Sequence, residues 1–168
     1  MTTKNLAYFC FLVFSYVAIQ LLFLRDRALF DYAFCFIYVA SILVLPFETG
    51  AVTLLFLGFF VGITIDIFHN TLGIHAAATV LMSYARPSII KLLTPQRGYD
   101  ERMNLTISSM GTGWFVSYIA VSVLLHHSAL FFLEASNFSL FFSTISKILL
   151  STILSTFVII ILQYFRKE

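Results

Sequence analysis

Asp66, His69, His75, His126, His127, Glu134 and Lys147 are the residues of this chain that could do chemistry, and all fall in or beside apolar runs. Four histidines with two carboxylates raise the possibility of a zinc site. None of the usual ligand spacings is met, and His126 and His127, being adjacent, point about 100° apart on a helix. An acid and a lysine in apolar surroundings suit an ion pair better. Asp66 and Lys147 both need a partner and lie at compatible depths, so we expect them to pair, fixing helix register more than adding stability. The histidines are expected at the membrane interface. No nucleophile–base pair, Gly-rich phosphate loop or Walker motif stands out. The paired acids, His-Glu motifs and Arg-rich signatures of intramembrane proteases and lipid phosphatases do not stand out either. The residues therefore predict no enzyme, no cofactor and no metal.

The elements that must position these groups are membrane spans. The chain has 168 residues, 60% hydrophobic and 11% charged, with a mean hydropathy of +0.96. A soluble domain is about half apolar and a quarter charged, so the bilayer must cover much of this surface. The net charge is only +2, and the basic residues sit mostly at segment ends, which argues against nucleic-acid binding. Cys10 and Cys35 lie inside apolar runs and read as small apolar side chains. Lys4 precedes the run Leu6 to Leu24, which is longer than a signal-peptide core and is followed by no small-residue cleavage site, so it reads as a retained first span.

A spanning helix needs about 20 apolar residues, and about 17 at least. Six runs meet this, over 6–24, 29–45, 51–68, 74–90, 113–133 and 138–165. They predict an all-α membrane protein, a bundle of six transmembrane helices in a single integral membrane domain with no extramembrane domain. Lys and Arg favour the cytoplasmic side. With the N-terminus inside, Lys4, Arg86, Lys91, Arg97, Arg102, Arg166 and Lys167 lie inside, and only Arg25 and Arg27 lie outside. Both termini are therefore expected in the cytoplasm.

Within the spans the small and polar residues are patterned. Gly58, Gly62 and Asp66 are each four apart, which puts them on one helix face where glycine admits a close neighbour. The carboxylate must face that neighbour, because facing lipid is costly. Ser143, Lys147, Ser151 and Ser155 also recur every four residues, with Thr144, Thr152 and Thr156 beside them. This stripe suits either packing within the chain or a partner face. His75, Thr79 and Ser83 form a further stripe amid alanines, ended by Arg86, which can reach lipid phosphates. The polar 91–104 loop carries Lys91, Arg97 and Arg102, as a topology signal or as a contact for anionic lipid or a filament. Two copies could associate through the Gly58/Gly62 face or the Ser/Thr face.

The pattern Gly58-x-x-x-Gly62-x-x-x-Asp66, followed by Asn70-Thr71-Leu72-Gly73-Ile74-His75-Ala76, resembles the rod shape-determining protein MreD family. Leu45-Pro46-Phe47-Glu48-Thr49, Tyr84-Ala85-Arg86-Pro87, Pro95-Gln96-Arg97-Gly98-Tyr99 and His126-His127 resemble one branch of it, and the likeness covers nearly the whole chain. The resemblance implies a non-enzymatic component of the bacterial cell-elongation machinery in the inner membrane. It implies an MreC-like single-span partner, and links to MreB-like filaments, a RodA-type glycosyltransferase and its class B penicillin-binding protein. It also implies a fold similar to the S-components of energy-coupling factor transporters. By carry-over, Gly58, Gly62, Asp66, Gly73 and His75 match the family's characteristic segment, and there are no catalytic residues to transfer. The competing reading is an S-component itself, a vitamin or solute carrier. Against it, the bulky first span lacks the Ala-x-x-x-Ala docking motif, since Ala7 and Ala18 are too far apart.

Overall fold

The computed structural model describes residues 3–25, 28–29, 32–94, 105–135 and 141–165. Helix α1 (Thr3–Ile19) runs into a π-helical turn, Gln20–Leu24. Strands β1 (Ala28–Leu29) and β2 (Ala33–Phe34) then make a short antiparallel ribbon, with Ala28 opposite Phe34 and Leu29 opposite Ala33. A 3-10 turn (Ile37–Val39) leads into the one-turn helix α2 (Ala40–Leu43). The longer helices α3 (Ala51–His69) and α4 (Ile74–Leu92) form a hairpin. After the short α5 (Ile107–Met110), α6 (Thr112–Ala135) and α7 (Phe141–Phe165) complete the bundle.

Among the described residues, four helical segments are long and apolar enough to cross a membrane: Ala7–Leu24, Ala51–His69, Thr112–Ala135 and Phe141–Phe165. The chain is thus a nearly all-helical, multi-pass membrane protein. The expected fourth run is also a helix, α4, of 19 residues. Its polar stripe of His75, Thr79, Ser83 and Arg86 is buried between α3 and α6, so this helix is sheltered by protein on that side.

The second run departs from expectation. Residues 29–45 do not form a spanning helix but the ribbon, the 3-10 turn and α2. Cys35 to Leu45 is buried throughout. Non-helical backbone survives at membrane depth only where protein satisfies its polar groups. Here other helices do so. Phe34 N donates to Ser151 Oγ at 2.9 Å and Phe36 N to Ser155 Oγ at 3.0 Å. Gln20, turned inward at the start of the π turn, accepts from Ile37 N at 2.8 Å and donates to Cys35 O at 3.1 Å. The irregular segment is therefore the axis around which the long helices close.

The surface is apolar in the complementary sense. Phe56, Phe60 and Ile67 on α3, Phe11 and Phe14 on α1, and Phe142, Ile153 and Phe157 on α7 all point outward.

Candidate functional site

The α3–α4 hairpin explains the glycine spacing. A Cβ on Gly62 would sit 2.8 Å from Ala76 N and 2.9 Å from His75 O, so the two backbones touch there. A Cβ on Gly58 would meet the Ser83 side chain and lie 3.2 Å from Thr79 O. One turn on, Asp66 Oδ1 accepts from His75 N at 3.0 Å and Oδ2 from Ala76 N at 2.9 Å, while Thr71 Oγ1 also donates to Oδ1. Asp66 thus caps the N-terminus of α4 from the end of α3, where backbone N–H groups lack partners and the helix dipole favours a carboxylate. The four-residue link turns through two left-handed positions, Asn70 (φ 56°) and Gly73 (φ 85°).

The expected Asp66–Lys147 pair is not formed. The carboxylate is occupied by α4, and Lys147 Nζ lies 5.9 Å above the ring centroid of Phe34, an aromatic face that attracts a cation. The Gly58/Gly62/Asp66 face is likewise filled by α4 of the same chain, which leaves it no room for a second copy. Ser151 and Ser155 are spent on the β2 segment, so this part of the stripe packs within the chain; Ser143 is only partly buried, one turn before Lys147.

His75, His126 and His127 are buried inside the protein, whereas His69 is half-buried at the end of α3. His126 and His127 have no exposed surface and His75 has 4%. Tyr38 Oη lies 2.9 Å from His75 Nδ1 and 2.9 Å from His126 Nε2. Thr79 Oγ1 donates to His75 O at 2.7 Å, so it offers lone pairs to His126 Nε2 at 3.4 Å. The Tyr38 hydroxyl can donate to one of the two rings while accepting from the other. His126 Nδ1 is buried and without a partner among the described residues, as is Ser122 Oγ one turn earlier. Such a pair is suited to an ordered water. His127 Nε2 lies 3.4 Å from Ser155 Oγ, which links the histidines to the serine stripe.

Arg86 was expected to reach lipid phosphates; it is instead 1% exposed. Its Nη2 donates to Leu45 O at 2.5 Å and Pro46 O at 3.3 Å, and its Nε to Tyr118 Oη at 3.0 Å. Tyr118 Oη in turn donates to Leu43 O at 3.0 Å. The guanidinium therefore closes the chain end that follows α2. Lys91 is exposed in the last turn of α4. Arg97 and Arg102 lie outside the described residues.

At the opposite end of the α4 stripe, a cavity of about 200 Å³ opens between the end of the π turn, the β2 segment, the α3–α4 link and the end of α6. Phe34, Phe36 and Phe131 form one wall, with ring centroids 5.7–6.2 Å apart. His69, Thr71 and His75 lie on another side, and the exposed Glu134 lies at the edge. Among the described residues no three His, Cys, Asp or Glu side chains converge to hold a metal ion.

Sequence reasoning missed Gln20, Tyr38 and Tyr118. Each is a polar residue inside an apolar run, and that is the one signal that could have flagged it. Searches against protein-family models, curated proteins and solved structures gave no match.

Proposed function

We propose that this chain is a non-enzymatic scaffold of the bacterial cell-elongation complex in the inner membrane, with both termini in the cytoplasm. It binds the transmembrane helix of an MreC-like single-span protein, and through it influences peptidoglycan synthesis and cell shape. The reading rests on the resemblance carried by Gly58 to His75. One structural observation supports it above the others: Gly58, Gly62 and the Asp66 carboxylate are engaged by the α3–α4 contact, and the body they help close has apolar outer faces. Such a body suits docking of another membrane helix better than turnover of a substrate. The RodA-type glycosyltransferase, its class B penicillin-binding protein and an MreB-like filament would then be reached through that partner or through Lys91, Arg97 and Arg102.

A second reading, an S-component-like carrier of a vitamin or similar solute, is favoured by one feature, the cavity at the His69 end. Its volume of about 200 Å³ falls below the roughly 300–1,000 Å³ usual for drug-sized ligands. Mild-detergent purification of the tagged chain from its native membrane, with mass spectrometry of what comes with it, separates the two. The scaffold reading predicts a single-span periplasmic protein together with the elongation synthase. Recovery of a transport T-component with its ATPases would replace it with the carrier reading.

A further inference from the structure

We infer that the cavity at the His69 end is a binding site for the ammonium group of a zwitterionic phospholipid headgroup. The first argument is depth. The cavity is bounded by Leu24 at the end of the first apolar segment, His69 at the end of α3, Ile74 at the start of α4 and Glu134 at the end of α6. Helix ends of a membrane bundle lie at the level of the headgroups. Leu22 and Phe23, just before Leu24 in the chain, and Phe132 and Leu133, between Phe131 and Glu134, are exposed and apolar.

The second argument is chemistry. Three phenyl rings in mutual contact line the cavity, and aromatic rings attract ammonium groups. One of them, Phe34, already carries the ammonium of Lys147 at 5.9 Å. Glu134 supplies an exposed carboxylate at the edge, and Asp66 places a second negative charge behind Thr71 and His75. Arg25, which follows Leu24 in the chain, is exposed.

The third argument is size. At about 30 Å³ per water, the 200 Å³ cavity has room for a group the size of ethanolamine. The inference is independent of the scaffold reading, because a lipid site at this edge is compatible with either function.

Native mass spectrometry of the full chain released from nanodiscs of equal parts phosphatidylethanolamine and phosphatidylglycerol tests the site. Retention of phosphatidylethanolamine over phosphatidylglycerol is expected, with that preference falling about tenfold in Glu134→Gln and unchanged in Glu48→Gln. Phe131→Leu, which keeps the volume apolar but removes a π face, should weaken it as well. Equal retention of the two lipids, or a preference that Glu134→Gln leaves intact, overturns the inference. So does saturable binding of free ethanolamine as strong as that of the lipid, which would make this a site for a soluble amine.

Discussion

Asp66 ends α3 with both carboxylate oxygens occupied by α4, and this decides what substitution there should do. Asn keeps the shape but turns one acceptor into a donor facing a backbone N–H. Asp66→Asn should therefore destabilise the chain by about 1 kcal/mol, as loss of a helix cap does, or more, since the site is buried. Lys147→Met acts elsewhere, on the ring of Phe34. A double-mutant cycle followed by thermal unfolding in detergent should give a coupling below about 0.5 kcal/mol; a larger value would restore the direct ion pair. The sequence showed that Asp66 needed a partner. It did not show that backbone N–H groups nine and ten residues on were nearer than any cation. Nothing in side-chain spacing reveals where a turn through Asn70 and Gly73 will return the chain. The burial of His75 and His126 went unforeseen for a related reason. Tyr38, which satisfies both, sits in an apolar run that gave no sign of forming their partner.

At the scale of elements, glycine spacing made a close helix approach legible but not that α4 is the neighbour, and the structure ranks the two glycines. Gly62 faces backbone, which cannot move aside, whereas Gly58 faces the Ser83 side chain and a carbonyl at 3.2 Å. Gly62→Ala should destabilise by about 1–3 kcal/mol, the range for overpacking, and Gly58→Ala by less. Ser83→Ala should relieve Gly58→Ala and do nothing for Gly62→Ala. Thermal unfolding of the five variants checks the order; equal losses at the two glycines would contradict it. The serine stripe of α7 was legible as a packing face but its counterpart was not. Residues 29–45 carry a helix-length apolar run, and hydropathy cannot distinguish a spanning helix from a buried irregular segment whose hydrogen bonds are supplied by distant side chains. Ser155→Ala leaves Phe36 N buried without its acceptor and should cost about 1–3 kcal/mol. Ser143→Ala should stay within about 0.5 kcal/mol. If the two were equally silent, the clamp on the β2 segment would not be holding it.

For the whole molecule, membrane character was legible from composition, and four of the apolar runs are helices of spanning length. The organisation inside them was not. Polar side chains of the π turn, α4, α6 and α7 all converge on one irregular segment, and the outward surface is left apolar. The proposed scaffold would meet its partner on these apolar outward faces. The direct measurement is photo-crosslinking in living cells. A photoreactive amino acid would be placed in turn at Phe56 and Phe157, which face outward, and at Ala78, which is fully buried. The scaffold account predicts an adduct with one single-span protein bearing a large periplasmic part, from at least one outward position and not from Ala78. Adducts from neither outward position, or adducts with a transport T-component, would contradict it.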